Sequence, residues 1–190
     1  MEKDLVQSLK LDISKKFRLS PYERLAFHSI LSLRKTENAL EILKVDLSKN
    51  QVVRKSAINA LVTFEHEVIH DILVNLLKKE LSIDETITII DYLARHGKDQ
   101  EVPLLRDFIT NSLQNPALSP AIPHAFESIR QIGSADNETR SFLLELINDK
   151  NVDQYIKYYA IRACTIFRDI SLFENLLRMG DEHVESSCFN

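Results

Sequence analysis

One apolar frame, returning at near-constant intervals, constrains this chain more than any other feature. In residues 52–64, VVRKSAINALVTF, the residues Ala57, Leu61 and Phe64 are spaced i, i+4, i+7 and so share one face of a helix. The frame recurs as Ala26, Ile30, Leu33; as Ile89, Leu93, His96; as Ala125, Ile129, Ile132; and as Ala160, Cys164, Phe167. First members lie 31, 32, 36 and 35 residues apart. After each frame come a short polar break and a second amphipathic stretch: ENALEILKVDLSK, HEVIHDILVNLLKKE, QEVPLLRDFITNSLQ, NETRSFLLELINDK and SLFENLLRM. Each unit therefore reads as helix A, turn, helix B. A lone helix pair cannot bury its apolar face, so such units stack on their neighbours.

Composition agrees. Three glycines in 190 residues leave few tight turns and few places for a backbone to approach a phosphate. That argues against hairpin-rich sheets and against a nucleotide-binding α/β fold. The segment TITIID alternates like a strand but lies inside the helix A frame of the third unit. A net charge of −4 has the wrong sign for a general nucleic-acid binder. Two cysteines, Cys164 and Cys188, sit among apolar residues and make no disulfide framework. The N-terminus MEKDLVQSLKLDISKKF has no apolar core of a secretory signal, and no apolar run approaches a membrane span. The expectation is a cytoplasmic protein with no membrane insertion.

The breaks carry helix-end chemistry. Asn50, Asp153 and Asp181 each fall four positions before the same slot of the frame (Arg54, Lys157, Glu185), where a short polar side chain caps the first turn. Pro21, Pro120 and Pro123 fall near the starts of A helices, and Gly97 and Gly133 near their ends.

The stretch NQVVRKSAINAL, residues 50–61, resembles the HEAT-repeat family, in particular the short bacterial type called PBS-lyase HEAT-like. That family favours Asp or Asn, then Val-Arg, then Ala and Ala-Leu. Units three and four depart from it, with Thr86 and Ile122 at the arginine slot. The resemblance implies an all-α fold, a right-handed α-α superhelix of about five helix pairs. A helices would face its convex side and B helices its concave side. The expected organisation is a single domain over residues 1–190. Residues 1–19 are an N-terminal capping helix, with Leu5, Leu9, Ile13 and Phe17 on one side. The units span about 20–49, 50–80, 81–115, 116–150 and 151–180. VESSCFN, residues 184–190, aligns with VRKSAIN, residues 53–59, so 181–190 reads as the start of a truncated sixth unit. The chain is accordingly expected to be part of a longer protein.

The most specific chemical motif is HEVIH, residues 66–70, which matches the H-E-x-x-H pattern of zinc hydrolases. On a helix His66 and His70 point the same way, and Glu67 could act as general base. A zinc hydrolase also needs a third ligand, for which Glu85 and His96 are the downstream candidates, and a strand to hold substrate. No strand precedes the motif, and the repeat register places it where helix A hands over to helix B. The buried stripe of that helix is already supplied by Ile69, Ile72, Leu73, Leu76 and Leu77.

Enzymes on HEAT-like scaffolds imply further patterns. Deoxyhypusine hydroxylases hold two irons through several His-Glu pairs, but here only His66-Glu67 has that order. Alkylpurine DNA glycosylases of related fold imply a basic, aromatic concave face; this chain has no tryptophan and no dense basic stripe. Bilin lyases share the repeat, but no residue identifies a bilin site. Cys164 occupies the core slot of Ile30, Leu61, Leu93 and Ile129, the position of a packing residue. No catalytic, cofactor or metal residues are assigned, and no cofactor is expected.

The expected function is a non-enzymatic protein-protein interaction scaffold that holds a protein or peptide partner on the B-helix surface. The outward-facing residues Lys44, Asp71, Arg106 and Arg140 are the candidate contacts. Two alternatives compete: a metal-dependent enzyme built on His66, Glu67 and His70, and a nucleic-acid binder using the basic residues Lys44, Lys78 and Arg106. Interleaved acids (Glu41, Asp46, Asp71, Asp107) blunt the field of that ridge and disfavour nucleic acid.

Overall fold

The structure, a computed structural model, describes residues 19–169. The N-terminal segment read as a capping helix, the second helix of the fifth unit and the fragment at 181–190 lie outside the described residues, as do Asp181 and Cys188. The described chain is all-helical, with no strand among these residues. It runs α1 (Pro21–Arg34), α2 (Glu37–Asp46), α3 (Gln51–Leu61), α4 (His66–Leu77), α5 (Ile83–His96), α6 (Val102–Leu113), α7 (Ile122–Ile132), α8 (Asn137–Asn148) and α9 (Gln154–Ala163). Short 3-10 turns precede α6 and α7 and follow α9. None of these helices is long and apolar enough to cross a membrane. TITIID, residues 86–91, lies within α5, where helical burial overrides its strand-like alternation.

Local chemistry sets the helix ends. Asn50 accepts the Val53 N–H and starts α3, and Asp153 accepts the Tyr155 N–H and starts α9. Such a cap contributes about 1 kcal/mol. Ser20 and Glu23 form a reciprocal capping box at α1, with Pro21 as its first residue. Gly133 closes α7 in the left-handed conformation at φ 77°. Gly97 is different: its φ is not left-handed, and it is there for space. A Cβ at Gly97 would stand 2.5 Å from the Leu93 carbonyl oxygen and 2.9 Å from Ile132 Cδ1.

The chain divides into two compact units, one ending at Tyr92 and one starting at Leu93, within α5. In the first, α1 packs along α3, and α2 touches both. Its core is built from Leu40 and Leu43 of α2, Ala57, Ile58 and Leu61 of α3, and Ile69 and Leu73 of α4, all buried. In the second, α6 packs against α7, and α9 lies against α7 and α8. Ile122, Ala125, Phe126 and Ile129 give α7 a continuous buried face. Each fully buried large aliphatic or aromatic side chain contributes about 1.5–3 kcal/mol.

The repeated frame holds in α3, in α7, and in α9 with the 3-10 turn that follows it: the first two members (Ala57 and Leu61, Ala125 and Ile129, Ala160 and Cys164) are buried. Ile89 and Leu93 of α5 are buried as well, and His96 ends that helix exposed. In α1 the frame fails. Ala26 and Ile30 are exposed, and Leu33 is 83% exposed. The buried face of α1 is instead Arg24, His28 and Leu31, two positions out of register with the apolar pattern.

The physical reason is an ion-paired cluster inside the first unit. Asp46, the last residue of α2, is fully buried. Arg24 Nη1 donates to its Oδ1, and His28 Nε2 lies 2.8 Å from its Oδ2. Burial alone would raise the Asp46 carboxyl, but the His28 and Arg24 hydrogen bonds outweigh it and hold the group below the usual carboxylate range. An ionised carboxylate only accepts, so His28 Nε2 carries the proton toward Asp46. A helix whose buried residues are an arginine and a histidine does not show its inner face in an apolar count.

Candidate partner-binding site

Two neighbouring B helices, α2 and α4, border an open furrow in the first unit. About 15 Å of α2 and about 18 Å of α4 are available to it, from the helical rise. At the N-terminal ends of both helices a cavity of about 410 Å³ is lined by Leu40, Phe64 and Val68, with Glu37, Glu65 and Lys44 at its polar edge. Toward their C-terminal ends a second cavity of about 360 Å³ is lined by Leu47, Ile72 and Leu76, with Lys79 and Glu80 beside them. Lys44 borders both. Apolar floor and mixed-charge rim are the composition of a surface that excludes water at its centre and remains hydrated at its edge.

The four residues expected to contact a partner fall into two groups. Lys44 is exposed on α2, with its Nζ 2.8 Å from Glu41 on the same helix. Asp71 is exposed on α4, outside the linings of both cavities. Arg106 and Arg140 belong to the second unit, and their guanidinium groups are engaged there. Arg106 Nη2 donates to Glu138 at 2.8 Å, with Asp136 at 3.7 Å, and its side chain is only 14% exposed. Arg140 Nη2 donates to Asp169 at 2.6 Å and lies over the Phe167 ring. These two arginines tie elements of their own unit together, Arg106 linking α6 to α8 and Arg140 linking α8 to the segment after α9.

Sequence reasoning missed Val68, which is 46% exposed in the middle of HEVIH. The signal was present: Val68 is apolar yet lies off the stripe formed by Ile69, Leu73 and Leu76. An apolar side chain off its helix's buried stripe is a candidate contact.

The HEVIH motif itself opens α4. Glu67 is exposed, whereas His70 is buried beside Tyr92, with ring centroids 6.1 Å apart. His70 is therefore not at the surface: it follows Ile69 into the core. Glu85, the downstream candidate for a third ligand, is fully buried and already bound. Arg54 Nε and Nη2 donate to its two oxygens at 2.8 and 3.0 Å, and the Ser82 N–H and hydroxyl donate to Oε2. Among the described residues no three His, Cys, Asp or Glu side chains are grouped to hold a metal ion. Cys164 is buried in its packing slot, and burial pushes its thiol up to about 11, far from a reactive thiolate at neutral pH.

No protein-family model matches the sequence, and a search of the curated proteins likewise finds none that matches.

Proposed function

We propose that the chain is a non-enzymatic interaction module that holds a protein or peptide partner in the furrow between α2 and α4. The observation that carries this reading is the pair of cavities on either side of Lys44, where the exposed Val68 and the half-buried Leu47, Phe64 and Ile72 stand beside the buried Leu40 and Leu76. Val68 and Val45 project from B helices at positions where a solvated helix would carry polar residues. Rim charges of both signs suit a partner with an apolar anchor and a patterned charged flank, since charge complementarity sets orientation and selectivity. Helix pairs of this kind present side chains from several repeats along one edge, a geometry suited to an extended segment or a helix.

The test is partner capture with the full chain in three forms: wild type, Val68→Asp, and Lys44→Glu. A partner specific to this furrow binds the wild type and loses at least about tenfold in affinity to Val68→Asp, the loss that about 1.4 kcal/mol represents. Asp107→Asn, exposed on α6, serves as the control and binds normally. A partner held equally by all four proteins would remove the furrow from the account.

A further inference from the structure

Helix α1 carries an apolar stripe that its own unit does not bury. Tyr22, Ala26, Ile30 and Leu33 follow the helical repeat and so share one side of the helix. All four are exposed, Tyr22 at 82% and Leu33 at 83%. The other side of α1 packs into the unit, with Arg24, His28 and Leu31 buried. Single apolar residues at a surface are ordinary. Two nearly bare large side chains with Ile30 between them on one helix face form a patch, and such patches mark interaction sites.

The order of residues along α1 shows what the patch fits. Tyr22 and Leu33 stand at its two ends, with the small Ala26 and Ser29 between them. Glu23 and Arg34, both exposed, lie beside the stripe at its N-terminal and C-terminal ends. They are separated by about three helical turns, so they share one flank. A second α1 laid antiparallel, midpoint on midpoint, sets Tyr22 against the second copy's Leu33. It also sets Glu23 against the second copy's Arg34, and the same two contacts recur at the other end. A parallel copy would bring like charges to the same end. Small side chains at the crossing let the two helices approach closely. Glu23 is already ordered for this role, because its Oε2 accepts the Ser20 N–H at 2.7 Å.

A twofold interface uses one patch on both copies and so requires a surface that is complementary to itself. Charge and apolar order on α1 both meet that condition. We propose that α1 is the interface of a homodimer, in which two copies of this chain pair antiparallel through Tyr22, Ala26, Ile30 and Leu33. One helix from each copy buries about 1,000 Å² in all, at the low end for a specific contact. The dimer therefore forms in the micromolar range. Neither α2 nor α4 contributes to it, so this interface and the furrow reading stand or fall separately.

The experiment is sedimentation velocity of the full chain from about 5 to about 500 µM, a span that brackets such an affinity. The wild type is expected to pass from monomer to dimer. Leu33→Asp, at an exposed position, is expected to keep the wild-type circular dichroism and weaken the dimer at least about tenfold. Tyr158→Asp, at an exposed tyrosine of the second unit, is expected to dimerise as the wild type does. Glu23→Lys and Arg34→Glu each place like charges at both ends of the antiparallel pair, and each alone is expected to dimerise at least about tenfold more weakly. Mixing these two variants is expected to restore the dimer, because opposite charges then meet at both ends. A chain that stays monomeric throughout shows that the stripe has another occupant, such as residues 1–18, and overturns the proposal. A dimer that Leu33→Asp leaves intact, or a mixture that does not recover, overturns it as well.

Discussion

Arg54 on α3 grips Glu85 on α5 with two parallel hydrogen bonds, 2.8 and 3.0 Å long, across 31 residues of sequence. The carboxylate is fully buried and the guanidinium is 24% exposed, so the arginine brings the charge pair to the edge of water. Glu85 also receives the Ser82 N–H and hydroxyl at the start of α5. One side chain therefore both caps a helix and ties it to the A helix before it. Burial alone would raise the Glu85 carboxyl, but the bonds from Arg54 and Ser82 outweigh it and hold the group below the ordinary glutamate range.

Glu85→Ala removes the acceptor of four hydrogen bonds and leaves Arg54 without its partner. The expected loss is about 2–4 kcal/mol in urea unfolding, approaching the range for breaking a buried ion pair. Arg54→Ala should lose less, because Ser82 still satisfies part of the carboxylate. The double-mutant cycle should return a coupling of about 2 kcal/mol. Additive single losses would show that the bidentate contact contributes little.

Asp46→Ala should be more damaging than any exposed acidic substitution in the chain. It removes the buried carboxylate that accepts from both Arg24 and His28, themselves buried, at about 3–5 kcal/mol. His28→Leu, which removes the second base and keeps the volume near that of imidazole, should be milder. A smaller effect for Asp46→Ala than for Glu41→Ala, where the glutamate is exposed, would sink the buried-cluster account of α1.

Stability should fall with acid in a defined window. Asp46, Glu85 and Glu127 all have folded-state carboxyl groups lowered from their ordinary values of 3.8, 4.5 and 4.5. A lowered folded value means that the unfolded chain takes up protons first as pH falls. The stabilisation is complete above those ordinary values and is lost as pH drops through the folded ones. For Glu127, held to about 2 chiefly by the Arg130 hydrogen bond, the loss extends from about pH 4.5 down to 2. Glu127→Gln should flatten the lower part of an acid-unfolding profile read by circular dichroism. An unchanged slope below pH 4 would show that solvent screens this partly exposed group.

Gly97→Ala should destabilise the second unit by about 1–3 kcal/mol through overpacking, since the nearest obstacle is a backbone oxygen that cannot rotate away. Gly133→Ala should lose about 1 kcal/mol for a different reason, the left-handed φ of 77°. Restoring room with Ile132→Val should rescue part of the Gly97→Ala loss, because Ile132 Cδ1 is the second obstacle, and should do nothing for Gly133→Ala. Thermal unfolding of the two pairs of variants separates the cases.

Local sequence decided a great deal of this protein. The 3.6-residue spacing of apolar side chains is a property of a single helix, and it marked α3, α7 and α9 before any packing was known. Caps act over three or four residues, so Asn50, Asp153, Pro21 and Gly133 declared their helix ends directly. Only the tertiary structure decided the face of α1, where Arg24 and His28 are buried because Asp46, 18 to 22 residues away, accepts from both. It alone showed that Glu85 answers Arg54 and that His70 enters the core beside Tyr92. It also showed that Gly97 lies against Ile132. The division has one physical cause. Periodicity and capping are short-range, whereas a charged or polar side chain is placed by whichever distant group will satisfy it.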